Sequence, residues 1–299
     1  MVKAQSVCYD ELNDTIGIPQ KEAEFIQDSS EPIKFFRLKT NPFLDNVNPE
    51  FFFRTPVHED AYVKMKKCID DDIAIGITTA ISGTGKTLLT QILLSELDHR
   101  KYKPIIILVY PQMCKTALLK EIISELGIKA LPSRITVHDL VSAIQNEIFK
   151  LHQNGVKLVI LIDEAHFLSS DSLHLLRTLS NIEKPEKKLL TILLFGEETF
   201  IVRLQHPRYK ALLSRMFIRS GLRPLTSEEV EQYIKYRCLI AGGSPLIFSQ
   251  ETFEIIAEKT RGIPREINRI CHNALLLAAS KRQKIVDSTI VSEIIQTQQ

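Results

Sequence analysis

A lysine followed by a threonine, at the end of a loop punctuated by two glycines, is the strongest chemical signal in this chain. The loop reads Ala80-Ile81-Ser82-Gly83-Thr84-Gly85-Lys86-Thr87. In such a loop the backbone N–H groups and the positive end of the following helix converge on the phosphates of a nucleotide. Lys86 is the candidate cation for the β and γ phosphates, and the Thr87 hydroxyl is the candidate ligand for Mg²⁺. Ala80 stands where this pattern usually opens with glycine. The stretch from Ala80 to Leu88 is therefore the expected nucleotide-binding segment.

Two carboxylates supply the second half of the chemistry. Leu158-Val159-Ile160-Leu161-Ile162 is a continuous apolar run ending at Asp163-Glu164. A buried strand of this kind delivers its last residues to the carboxyl end of a sheet, where open α/β sheets bind ligands. Asp163 is expected to hold Mg²⁺ together with Thr87. Glu164 is expected to orient and polarise a water for in-line attack on the γ phosphate. Both acids need fixed places beside the loop, because positioning and charge neutralisation carry most of this chemistry. His166 follows in an Asp-Glu-Ala-His string. Helicases with that string couple two similar ATPase domains, whereas this chain has motifs for one, so His166 is read as a structural or sensing residue.

Stepping outward, the elements that hold these groups follow a strand-then-helix rhythm, which makes a parallel sheet with helices on both faces. The strands are expected at Ile73–Thr79, Pro104–Tyr110, Val156–Ile162, Leu189–Phe195 and Met216–Leu222. Leu88, Leu89, Ile92, Leu93 and Leu97 recur at helical spacing after the loop, so a helix begins at its end. Helices are also expected over Asp60–Ile69, Thr116–Leu126 and Thr136–Gln153, and around Leu173–Leu179. After the sheet, Thr226-Ser227-Glu228-Glu229 is a capping box, and three more helices follow, opened by Ser249, Pro264 and Asp287. The expected organisation is an N-terminal arm over 1–32, an α/β nucleotide-binding domain over 33–224 and an all-helical lid over 225–299.

Composition sets the class. A chain of 299 residues has ample length for a core. Its five cysteines are scattered without metal spacing, as in a reducing cytosol. No apolar run approaches a membrane span, so a cytoplasmic protein without an integral membrane segment is expected. The net charge of +2 is unevenly spread. Residues 1–32 hold two lysines against seven carboxylates, a balance of −5, and the remainder carries +7. Between Thr199 and Ser227 lie Arg203, Arg208, Lys210, Arg215, Arg219 and Arg223 with no acid. That stretch could face DNA, anionic lipid or a neighbouring subunit's nucleotide, or be a solvated helix face. The lid balances nine basic against nine acidic residues and offers no nucleic-acid footprint.

Three further residues are candidates for the site. Arg215 lies just before the fifth strand and could act in trans on a neighbour's γ phosphate. Arg265, in Gly262-Ile263-Pro264-Arg265, opens a lid helix and could reach the phosphates in cis. Glu197, at the end of the fourth strand, holds a sensing position or caps the next helix.

From roughly Phe36 to Ile295 the chain resembles the AAA+ ATPases of the general secretion pathway protein A type. The resemblance rests on Asn41-Pro42-Phe43, the phosphate loop and Ile162-Asp163-Glu164-Ala165. It also rests on Leu176-Arg177-Thr178-Leu179-Ser180-Asn181-Ile182-Glu183, Lys188-Leu189-Leu190 and Phe195-Gly196-Glu197, where relatives usually read Gly-Gln. Leu222-Arg223-Pro224-Leu225-Thr226, Ala241-Gly242 and Gly262-Ile263-Pro264-Arg265-Glu266-Ile267-Asn268 complete it. It implies ATP hydrolysis with Mg²⁺, assembly into a homo-oligomeric ring or filament, an arginine finger at Arg215 and a second sensor at Arg265. It also implies adenine contacts near His58, within Pro56-x-His58-x-x-Ala61. Secretion-type members continue into a membrane span and a cell-wall-binding domain; neither is expected in these 299 residues.

Three functions compete at this stage. The first is a cytosolic motor that remodels or assembles a protein complex with an unknown protein partner, favoured by the lid sequence and the Leu176–Leu190 signature. The second is an ATP-gated DNA-binding protein, similar to the transposition-helper ATPases that recruit a transposase, favoured by the acid-free basic stretch. The third is a regulatory module with little turnover, against which Glu164 argues.

Overall fold

The computed structural model describes residues 31–129, 135–185 and 187–297. The acidic arm expected over 1–32 lies outside the described residues up to position 30. The first described elements are a short helix, α1 (Glu31–Phe35), and a 3-10 turn at Pro49–Phe51. Helix α2 then spans Pro56–Asp70, one turn earlier than expected. Thr55 caps it by accepting from the His58 N–H, and Pro56 fits the first turn, where no N–H is needed.

Five parallel strands make the main sheet: β1 (Ile75–Ala80), β2 (Tyr102–Leu108), β3 (Lys157–Asp163), β6 (Leu190–Gly196) and β7 (Met216–Leu222). A two-stranded hairpin, β4 (Glu183–Lys184) with β5 (Lys187–Lys188), precedes β6. The sheet order is β2-β3-β6-β1-β7, with every pair parallel. Burial follows from position. All residues of the three central strands are buried, whereas the edge strands β2 and β7 alternate. Strands covered on both faces are mostly apolar, which is why β1, β3 and β6 read as nearly continuous runs.

Alternate residues of one strand feed two cores. Ile160 and Ile162 join Leu118, Ile122, Leu140, Ile144 and Ile148, from α4 (Lys115–Leu126) and α5 (Val137–Gln153). Val159 and Leu161 face the opposite way, with Met65 and Ile69 of α2 and Leu89 and Leu93 of α3 (Lys86–Glu96). Each fully buried Leu or Ile is worth about 1.5–3 kcal/mol of transfer free energy. Truncating Leu161 to alanine would cost about 2–5 kcal/mol. Between β3 and β6 runs α6 (Ser170–Leu179), and between β6 and β7 run α7 (Glu198–Leu204) and α8 (Lys210–Leu213).

A third core gathers the C-terminal helices α9 (Ser227–Ile240), α10 (Gln250–Thr260), α11 (Pro264–Ser280) and α12 (Ser288–Thr297). The capping box is present: Thr226 and Glu229 satisfy each other's N–H groups. Leu38, Phe43 and Phe51 belong to this helical core, although they precede the sheet in sequence. Asn41 fixes the crossing, accepting from the Phe43 N–H at 2.9 Å and bonding His272 Nδ1 at 2.9 Å. Among the described residues no helix is long and apolar enough to cross a membrane.

Candidate active site

The carboxyl ends of β1, β6 and β3 lie side by side, because β6 separates the other two. One ends in the glycine loop, the next at Gly196-Glu197, the third at Asp163-Glu164. Residues 76 positions apart in sequence therefore meet: the Thr87 hydroxyl donates to Asp163 Oδ2 at 2.8 Å. The other carboxylate oxygen accepts from the Glu164 N–H at 2.9 Å. Both oxygens of Asp163 are thus oriented, and the side chain is buried. Glu164 takes a left-handed backbone, φ 53°, a conformation that costs a non-glycine residue on the order of 1–3 kcal/mol. Its carboxylate lines the cleft beside Lys86 and Thr87.

The loop itself has the form of a cradle for an anion. Gly83 and Gly85 both adopt positive φ, and Gly85 caps α3 with no side-chain acceptor. The positive end of α3 is therefore open to a negatively charged group. Lys86 is buried and donates to the Ala80 and Ile81 carbonyls at 3.1 and 3.3 Å. Burial pushes its ammonium down, opposed first by Glu164 and then by Glu197 and Asp163. No carboxylate among the described residues comes within 4 Å of it. Thr84 closes the loop on itself, its hydroxyl donating to the Ile81 carbonyl at 2.7 Å. A cationic donor without an ion-pair partner, an uncapped helix start and two hard oxygen groups in contact suit a polyphosphate and its Mg²⁺.

The remaining expected residues divide. Arg265 opens α11 over the loop: its N–H donates to the Gly83 carbonyl at 3.2 Å, and its guanidinium lies 3.4 Å from Ser82 Oγ and 3.6 Å from Asp45. Gly83 and Gly262 permit that approach. A Cβ on Gly83 would stand 2.9 Å from Arg265 Cβ, and one on Gly262 would strike the Leu225 carbonyl at 2.0 Å. Leu88 lines the cleft, and Ile81 is exposed at its rim. His58, the residue expected near an adenine, packs against the loop. Its ring is buried behind the loop, bonded to the Thr84 carbonyl at 3.1 Å and to Thr55 Oγ1 at 2.7 Å, so it braces the loop from outside the cleft. Burial holds that imidazole below its ordinary pKa, towards the neutral form.

Glu197 is the N-cap residue of α7 by position, but its side chain makes no capping bond. It stands 4.0 Å from His166 Nε2, while His166 Nδ1 is 3.2 Å from Glu164 Oε2. Arg215 lies at the amino end of β7, beside Asp72, Lys188 and the exposed Phe217. It is thus at the opposite end of the sheet from Lys86 of its own chain. The acid-free basic stretch is not one surface. Arg203 donates to the His166 carbonyl at 2.8 Å and to the Leu168 carbonyl, and Arg223 is paired with Glu229 at 2.6 Å. Arg208, Lys210 and Arg219 remain exposed.

The cleft also contains residues that motif spacing does not reveal. Asp45, Asn46 and Val47 form one wall, and Tyr233, Arg237 and Asn268 the other. Tyr233 donates to Asn268 Oδ1 and accepts from Arg237, both at 2.9 Å. Complete burial raises its phenol pKa. The hints in the sequence are an i, i+4 pair, Tyr233 and Arg237, on the apolar side of α9, and Asn268 at the end of the Gly262-Ile263-Pro264-Arg265-Glu266-Ile267-Asn268 motif.

Residues 70–204 match a family model described as an AAA domain. The chain is 30% identical over 266 residues to general secretion pathway protein A of Aeromonas hydrophila. That alignment covers 86% of this chain and 47% of the relative, so the chain spans about half the length of the curated protein it matches. Among solved structures, Cdc6p of Pyrobaculum aerophilum superposes with a TM-score of 0.68 at 16% identity, over 86% of this chain and 70% of that one. The Aeropyrum pernix ORC1 protein in complex with DNA gives 0.66 at 17%, over 87% and 69%. At such identities the likeness is one of fold: the parallel α/β sheet of the P-loop NTPases, followed by a helical region.

Proposed function

Because the chain carries an AAA domain over residues 70–204, we propose that it is a Mg²⁺-dependent ATPase that remodels or assembles a protein complex. The observation that carries the proposal is the Thr87–Asp163 contact at 2.8 Å, made beside a buried lysine with no ion-pair partner. Mg²⁺ bound by Thr87 and Asp163 would neutralise charge on the β and γ phosphates. Lys86 would exchange its two carbonyl acceptors for phosphate oxygens, and the uncapped start of α3 would face the same group. Glu164 would hold the attacking water and polarise its O–H bond. Arg265 would bind the phosphates from the lid side, so that α11 follows the state of the nucleotide.

Arg215 cannot reach the cleft of its own chain from the amino end of β7. We place it on the γ phosphate of a neighbouring copy in a ring or filament. The four C-terminal helices would be the lid and residues 33–224 the nucleotide-binding domain, with Leu38, Phe43 and Phe51 tying the two together. The printed name of the relative, general secretion pathway protein A, favours a protein complex as the object of the work, and we place that work in the cytoplasm. The second possibility, an ATP-gated DNA-binding transposition regulator, is weakened by the engagement of Arg203 and Arg223. ATP turnover with and without Mg²⁺, and with and without duplex DNA at two salt concentrations, tests both. The proposal expects Mg²⁺-dependent turnover that DNA leaves unchanged. Salt-sensitive stimulation by DNA would favour the second, because phosphate contacts release counterions.

A further inference from the structure

His166 has no part in the chemistry above, yet its ring stands between two carboxylates of the site. Nδ1 is 3.2 Å from Glu164 Oε2, and Nε2 is 4.0 Å from Glu197 Oε2. The side chain is only 13% exposed. Its Nδ1 is shut off from solvent and satisfied by no well-aligned hydrogen bond among the described residues. A polar ring atom in that situation is costly unless a partner takes it up.

The imidazole has little freedom to leave. It stacks on Phe167 with ring centroids 4.0 Å apart. Its own carbonyl, and that of Leu168, are gripped by the Arg203 guanidinium, which lies over the rings of Phe200 and Tyr209. On the β6 side, a Cβ added to Gly196 would stand 3.3 Å from the His166 nitrogen and 3.7 Å from its Cβ, so the glycine leaves that space free. The ring is therefore held by Phe167 and, through its backbone, by Arg203 of α7, and its two nitrogens lie near Glu164 and Glu197.

We propose that His166 is a positioning residue for Glu164, its Nδ1–H holding Oε2 so that the carboxylate stays over the cleft and does not collapse onto Lys86. This rests on Glu164 being the group that orients the attacking water. Glu164 and Lys86 line the same cleft, so an untethered carboxylate could turn towards the ammonium, where the phosphate belongs. A neutral imidazole has one N–H. With that proton on Nδ1, Glu164 is held and the Nε2 lone pair faces Glu197 across 4.0 Å without a bond. With it on Nε2, Glu164 is released, while Glu197 at 4.0 Å lies beyond hydrogen-bond reach. The ring thus ties the water-orienting group to α7, whose Arg203 grips the His166 carbonyl.

The test uses the full chain and four measurements: kcat, KM, the Kd for Mg-ATP and the thermal midpoint. His166→Ala is expected to lower kcat roughly 10- to 100-fold, the effect of letting a reacting group drift by about an ångström. Kd and the midpoint should stay near wild type. His166→Asn, whose amide nitrogen can stand where Nδ1 stood, should recover several-fold over His166→Leu; this pair also carries the test if the alanine variant does not fold. In a Glu164→Gln background, His166→Ala should remove nothing further, since the residue acts only through Glu164. Wild-type kcat in His166→Ala, equal rates for Asn and Leu, or a full additional loss in the Glu164→Gln background would each overturn the proposal. A wild-type chain that binds Mg-ATP without turning it over would instead overturn the ATPase assignment itself.

Discussion

Two lysines, one at each end of the parallel sheet, are buried to nearly the same degree: Lys86 is 5% exposed and Lys157 6%. Both donate to backbone carbonyls, and burial pushes both ammonium groups down. They differ in the company of acids. At the amino end, Lys157 meets Asp72 at 2.8 Å as well as the Ile69 carbonyl at 2.7 Å. At the carboxyl end, Lys86 has Glu164, Glu197 and Asp163 around it and no ion-pair contact among the described residues. A buried cation is expensive unless paired. One of these lysines is satisfied within its own chain, and the other is left for an anion that arrives from outside. The amino end of the sheet is built for stability and the carboxyl end for a ligand.

Exchange of the two lysines for neutral residues should separate those purposes most sharply. Lys86→Ala should weaken Mg-ATP binding roughly 100-fold, through lost charge-assisted phosphate contacts of about 1.5–3 kcal/mol each, and leave the fold intact. Lys157→Met should leave binding unchanged and lower unfolding stability by about 1–3 kcal/mol, because Asp72 and the Ile69 carbonyl lose their donor. Calorimetric titration and urea denaturation of both variants decide the point; the same phenotype in both would erase the contrast.

Glu164→Gln comes next in size. It should keep Mg-ATP affinity within a few-fold and lower kcat about 100-fold or more. Unchanged turnover in a single-turnover assay would remove Glu164 from its assigned place. Arg215 sharpens the comparison in another way, since it sits at the stability end and is assigned to chemistry. Arg215→Ala should reduce turnover without affecting nucleotide binding to a monomer. Mixing it with the Lys86→Ala chain should restore part of the activity, because some interfaces then join an intact loop to an intact arginine. No recovery on mixing would tell against action in trans.

The smallest effect expected is a difference in thiol reactivity between the two ends. Cys68, under β1, is buried and has its pKa pushed up to about 12. Cys114, beyond the carboxyl end of β2, is exposed and has its pKa lowered, chiefly by the Ala117 N–H. Among the described cysteines, brief iodoacetamide treatment near neutral pH should label Cys114 and spare Cys68, Cys238 and Cys271, as read by peptide mass spectrometry.

Much of this was legible beforehand, for reasons that particular residues make plain. Strands β1, β3 and β6 are covered on both faces, so their sequences are mostly apolar runs. The loop and the Asp163-Glu164 pair stand at the ends of those runs, and their meeting follows from the topology of parallel sheets. Thr226 marks its helix because capping is local chemistry. The unexpected features depend on contacts far apart in sequence. Leu38, Phe43 and Phe51 carry no sign that they pack among helices nearly two hundred residues later. Arg203 looked like any surface cation, yet it is spent on two carbonyls. The hairpin β4–β5 and helix α7 are too short to show a period. The start of α2 was available in Thr55-Pro56, a cap followed by proline, and lay one turn before the apolar spacing.

The claim beneath all of this is that Lys86 is held uncompensated for a triphosphate. Calorimetric titration of the folded wild-type chain with Mg-ATP, beside the folded Lys86→Ala chain, tests it most directly. The account expects one saturable site in the wild type, lost or greatly weakened in the variant. Equal affinity in the two chains, or no heat of binding in the wild type, would contradict it.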